Sequence, residues 1–101
     1  MFLFTSKKAQ IKVAENIRAL RLEKGLTQKG LSERSGVSLS TLRKFEQTGV
    51  ISMESFFKLA MTLGCLEKVI QATESNENEF SSIDDVLKEK NDKKPKRGWR
   101  T

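Results

Sequence analysis

The sequence predicts an all-α fold: five helices packed as one bundle, followed by a further short helix and a basic tail. Three observations carry this. Apolar residues recur at three- and four-residue steps in one segment after another, the spacing that gathers them on one face of a helix. Most segments are bracketed by a Ser or Thr before them and a Gly after them. The hydroxyl satisfies free amides at a helix start, and glycine takes the left-handed turn at its end. Alternating strand patterns are almost absent, with residues 1–5, MFLFT, the single candidate.

From Lys7 the first helix carries Ile11, Ala14, Ile17, Leu20 and Leu22 on its apolar side, and Gly25 follows Lys24 as its terminator. Thr27 caps the second, with Leu31 inward and Gly36 closing the end; Gly30 inside it costs about 1 kcal/mol relative to alanine. Ser38 caps a third helix running to about Gln47, with Leu42 and Phe45 inward, and Gly49 breaks it. Ser52 begins a fourth, whose stripe is Met53, Phe56, Phe57, Leu59, Ala60 and Leu63, ended by Gly64. A short fifth helix spans residues 66–72, with Leu66, Val69 and Ile70 inward.

Beyond these helices the composition changes. Residues 73–81 read as an acidic linker, and Ser82 with Asp85 marks the start of a short helix over 82–90 with Ile83, Val86 and Leu87 on its face. Residues 91–101, NDKKPKRGWRT, have no periodicity and are expected to be disordered alone. The organisation is thus an apolar segment at 1–6, a helical domain at 7–72, the linker, the short helix and the tail.

Charge is distributed unevenly. The formal net charge is +6, and residues 7–70 hold twelve Lys/Arg against six Asp/Glu. Residues 71–87 hold five acidic side chains and no basic one; residues 88–101 hold seven basic against two acidic. A basic body and a basic tail separated by an acidic connector suit polyanions or acidic partners, although charge of this kind also serves plain solubility. There is one cysteine, so no intramolecular disulfide forms and a reducing, cytoplasmic setting is expected. No apolar run approaches the roughly 20 residues that span a bilayer. The absence of histidine removes the commonest general base and metal ligand, and Cys65 alone builds no zinc site. No catalytic residue, metal or cofactor is expected.

The second and third helices, joined by a short glycine-bearing turn, fit a plan in which one helix crosses a DNA backbone while the next lies in the major groove. Leu31 and Val37 pack between them, Ser32 is small enough for close approach, and Leu42 and Phe45 anchor the third helix. At 100° per residue, Leu39, Ser40, Arg43 and Lys44 then lie on the side away from the core. Lys and Arg donate to guanine acceptors, Ser adapts to several bases, and Leu39 suits a thymine methyl. Gln28, at the start of the second helix, is placed for a phosphate, with Thr27, Ser38 and Thr41 as further phosphate contacts. The same spacing also fits a helical hairpin in a bundle with no role in DNA binding.

The run IRALRLEKGLTQKGLSERSGVSLSTLRKFEQTG resembles the helix-turn-helix domain of the Cro/cI-type (XRE-family) transcriptional regulators, from about Lys7 to Ala72. Arg18 and Arg21, the turn Gly25-Leu26-Thr27-Gln28, Leu31, Gly36-Val37-Ser38, Leu42 and Phe45-Glu46 fall in the family's register. The resemblance implies a five-helix, lambda-repressor-like bundle that binds a double-stranded operator as a homodimer in the bacterial cytoplasm. It implies base contacts for Leu39, Ser40 and Lys44 and phosphate contacts for Gln28, Ser38 and Arg43. Gly30 and Ser32 depart from the family's usual glutamate and alanine. The segment FEQTGVIS and the ending SIDDVLKEKNDKKPKRGWRT look like the HipB-like antitoxins, a resemblance that implies autorepression and a HipA-like kinase toxin as partner.

Trp99, flanked by Arg97 and Arg100, sits in a tail that buries nothing by itself; it serves as an anchor in a partner's pocket, as part of a nonspecific phosphate-binding tail, or not at all. Residues 1–4 expose two phenylalanines and a leucine that either cover the bundle or form a strand across a dimer interface. Two rivals to a DNA-binding repressor come from other classes. One is an interaction module using the same bundle without DNA; the other, weaker, is an enzyme.

Overall fold

The computed structural model describes residues 3–75. Contacts divide the chain into two units, residues 1–69 and 70–101, and the helical bundle belongs to the first. Its elements are α1 (Ser6–Glu23), α2 (Gln28–Ser35), α3 (Leu39–Thr48), α4 (Met53–Leu63) and α5 (Leu66–Ala72), the last ending in the second unit. No strand occurs among the described residues, and the fold is all-α as expected.

The caps explain where the helices begin. Thr5 Oγ1 accepts from the Lys8 amide at 3.0 Å, so α1 starts one residue before the expected Lys7. Thr27, Ser38 and Ser52 cap α2, α3 and α4 by accepting from the amides of Gly30, Thr41 and Ser55. α3 runs one residue beyond Gln47 to Thr48, after which the Gly49 amide donates to the Phe45 carbonyl at 2.7 Å.

α1 packs on α3 and α4, and α2 packs on the same pair. The buried cluster is Ala14, Ile17, Leu31, Val37, Leu42, Phe45, Leu59 and Leu63. The Phe45 and Phe56 rings meet edge to face, with centroids 6.1 Å apart and planes at 67°. Four residues expected to face inward are exposed: Ile11, Leu22, Met53 and Ile70. The reason for Leu22 is geometric. Ala14, Ile17 and residue 21 complete the buried stripe of α1, and position 22 lies another 100° around. The residue at 21 is an arginine, buried at 6 % exposure. Met53 opens α4 beyond the edge of the core, and α5 fully buries none of its residues.

Gly49 sits where α3 meets α1. Its φ is +83°, and a Cβ there would lie 2.9 Å from the Gln10 carbonyl carbon and 3.0 Å from the Ile11 nitrogen. Gly30 also has a local reason. A methyl at that position would press within 3.3 Å of the Thr27 hydroxyl oxygen that caps α2.

Residues 3–5 adopt no regular structure, with Leu3 and Phe4 exposed and Thr5 engaged as the α1 cap. Ser6, assigned to the apolar segment from the sequence, already belongs to α1. Most of the acidic linker, the expected helix over 82–90 and the tail with Arg97, Trp99 and Arg100 lie outside the described residues.

Candidate nucleic-acid interface

Short polar side chains build the turn between α2 and α3. The Gly36 amide donates to the Ser32 carbonyl at 3.0 Å, and Gly36 takes a left-handed φ of 82°. The Ser32 hydroxyl donates to the Val37 carbonyl at 2.6 Å, while the Val37 amide donates to Ser35 Oγ at 3.1 Å. Ser32 is therefore more than a small residue, because it ties the second helix to the strand of chain that enters the third. Val37 is then buried, and the backbone turns outward at Ser38 to begin α3.

At the start of α3, Ser38 Oγ accepts from the Thr41 amide at 3.2 Å and donates to Thr41 Oγ1 at 2.9 Å, with Ser40 Oγ 3.4 Å away. Ser38→Ala removes this cap and is expected to cost about 1 kcal/mol, read as a lowered midpoint in denaturant with unchanged slope. Leu42 and Phe45 fix the inward side of the helix at 0 % and 1 % exposure. Ser40, Arg43 and Lys44 are exposed, and Leu39 and Thr41 are half-buried.

A charged network joins this helix to α1 and α2. Glu46 is nearly inaccessible, its side chain 4 % exposed. Arg21 donates to it twice, from Nε to Oε2 at 2.7 Å and from Nη2 to Oε1 at 3.0 Å, and from Nη1 to the Leu26 carbonyl at 2.9 Å. This planar two-bond pairing suits a guanidinium and a carboxylate. Gln28 Nε2 donates to the same Glu46 Oε1 at 2.9 Å, and Arg43 Nε donates to Gln28 Oε1 at 3.4 Å. Burial pushes the Glu46 carboxyl up, but hydrogen bonds from Arg21 and Gln28 and the charges of Arg21 and Arg18 outweigh it, leaving it below the usual carboxylate value.

The residues singled out from the sequence fall into four groups. Ser38, Ser40 and Thr41 meet at the α3 start, while Gln28 and Arg43 touch each other. Thr27 is spent on the Gly30 amide. Leu39 and Lys44 have no hydrogen-bonding or charged partner for their side chains among the described residues. Gln28, expected at a phosphate, also donates from its side-chain amide to Glu46 and accepts there from Arg43. The buried Arg21–Glu46 pair was missed as a pair, although both residues lie in the quoted register. The readable signal was Arg21 standing on the Ala14–Ile17 stripe; the position of its partner 25 residues later was not local information.

No helix among the described residues is long and apolar enough to cross a membrane, and no cluster of His, Cys, Asp or Glu among them can hold a metal ion. Comparison with curated proteins and with solved structures gives no match. A helix-turn-helix family model matches residues 17–68, just over half the chain, from the buried stripe of α1 into α5. That family consists of DNA-binding domains rather than enzymes. The chain belongs to the XRE-type helix-turn-helix family and is a DNA-binding transcriptional regulator.

Proposed function

We propose that the chain is a repressor that binds an inverted-repeat operator as a homodimer, with α3 in the major groove. The carrying observation is the two-sidedness of α3: Leu42 and Phe45 are buried while Ser40, Arg43 and Lys44 are exposed. Lys44, Ser40 and Leu39 read bases, and Arg43, Ser38, Thr41, Thr27 and Gln28 face the backbone, Gln28 mainly by holding Arg43. A dimer follows from the two-fold symmetry of operators read by such helices. The HipB-like sequence features favour an antitoxin that represses its own operon and docks a HipA-like kinase through Arg97, Trp99 and Arg100. A stand-alone regulator of the same family would bind the operator alike but show no kinase binding that Trp99→Ala abolishes.

Selection of bound duplexes from a random library tests the reading face. A palindromic consensus that disappears with Ser40→Ala/Lys44→Ala supports it; a consensus surviving in the double mutant removes it. Lys44→Ala is expected to lose about 1–3 kcal/mol of discrimination at one base pair, whereas Arg43→Ala weakens all sequences alike and flattens the salt dependence. Ser38 separates folding from binding. Ser38→Asp keeps an oxygen for the cap, so thermal stability is retained, but it sets a negative charge toward the phosphates and duplex affinity falls.

A further inference from the structure

Arg18 lies on α1, outside the two helices of the motif, one turn before the buried Arg21. Its Nε stands 3.9 Å from Glu46 Oε1, beyond hydrogen-bond reach, and its side chain is 59 % exposed. Glu46 does not need it. The carboxylate is already held by two bonds from Arg21 and one from Gln28, all at 3.0 Å or less. A pair this long and this exposed contributes little to stability. Among the described residues no hydrogen bond occupies the Arg18 guanidinium.

The balance of charge along the same chain of contacts points outward. Arg18 and Arg21 face Glu46, and Arg43 faces the Gln28 amide that Glu46 holds in place. One carboxylate stands against three guanidiniums. Arg21 is buried and neutralises it, so Arg18 and Arg43 are left as exposed positive charges on either side of the Glu46–Gln28 bridge. Two exposed guanidiniums joined to α3 through Glu46 and Gln28 suit the phosphates of a DNA backbone.

We propose that Arg18 is a DNA-backbone contact, acting with Arg43 as a pair of guanidiniums, of which Arg43 is held by the partly buried Glu46–Gln28 bridge and Arg18 is supplied by α1. This rests on the reading in which α3 lies against duplex DNA. The bridge carries no phosphate itself. It holds the Arg43 side chain by its Nε, leaving the terminal nitrogens for the ligand, while α1 supplies the second cation.

The test is the salt dependence of binding to a random-sequence duplex, measured with the full chain and with Arg18→Ala, Arg18→Lys and Lys58→Ala. Lys58 lies on α4 beside Glu54 and removes the same charge from another helix. Arg18→Ala is expected to keep the melting temperature, lower affinity several-fold for every sequence and reduce the slope of log K against log salt by about 0.9, the loss of one phosphate. Arg18→Lys restores most of the slope, and Lys58→Ala leaves it near wild type. An unchanged slope in Arg18→Ala, or an equal loss in Lys58→Ala, overturns the assignment while leaving DNA binding intact. A flat slope in the wild-type chain overturns the DNA reading itself and the Arg18 assignment with it.

Discussion

Glu46→Ala lowers the unfolding free energy by about 3–5 kcal/mol, because it leaves the Arg21 guanidinium buried with only the Leu26 carbonyl to face. In a domain of this size that is a fall of more than about 10 °C in melting temperature. The loss comes from an orphaned charge, and the double replacement Arg21→Met/Glu46→Leu is therefore expected to recover most of it. If the double variant is no more stable than Glu46→Ala, the pair contributes through its specific hydrogen bonds and the orphaned-charge account fails.

The same pair makes stability depend on pH with a definite sign. The folded-state pKa of Glu46 is lowered, so its contribution is complete above the unfolded value, and it is lost as pH falls through the lowered folded value. Denaturation of wild type and Glu46→Gln across this range reads the effect. The difference between them is expected to be largest near neutrality and to shrink in acid. A constant difference would mean that Glu46 does not change its protonation between the two states.

Gly49→Ala is the second large effect, at about 2–5 kcal/mol. The left-handed φ of +83° costs a residue with a side chain about 1–2 kcal/mol. A Cβ 2.9 Å from the Gln10 backbone adds an overpacking cost of about 1–3 kcal/mol, since the neighbour is a helix backbone with no rotamer to change. Gly36→Ala separates the two contributions. Gly36 has nearly the same φ, at +82°, but nothing within 4 Å of a new Cβ. It should lose only the conformational part, and chemical denaturation of the two variants measures the difference. Equal losses would show that α1 yields to the methyl group.

The close approach at Gly49 also bears on function. α1 packs on α3, the helix proposed to read bases, so a variant that pushes α1 away moves Arg18 relative to Arg43. Folded Gly49→Ala protein is thus expected to lose duplex affinity even where its α3 surface is unchanged.

Among the described residues, helix number, type and most boundaries were determined by the sequence, because the signals are local. Hydroxyl caps at Thr27, Ser38 and Ser52 and the left-handed glycines act on their own neighbouring residues, and the three- and four-residue spacing of Ala14, Ile17, Leu42, Phe45, Leu59 and Leu63 is a property of one helix at a time. The two-sided character of α3, with its candidate reading residues, was legible for the same reason. Only the tertiary structure decided what crosses between helices. Arg21 and Glu46 are 25 residues apart, and nothing near either one says that they share a buried site. Gln28 read as a phosphate contact, and nothing local said that its side-chain amide also links Glu46 to Arg43. Gly49 read as a helix stop until Gln10 and Ile11 closed against it. Ile11, Leu22, Met53 and Ile70 read as core until the neighbouring helices left them exposed. A helix face is written in a few consecutive residues, but which faces meet, and which charges are sealed between them, depends on partners that only chain folding brings within reach.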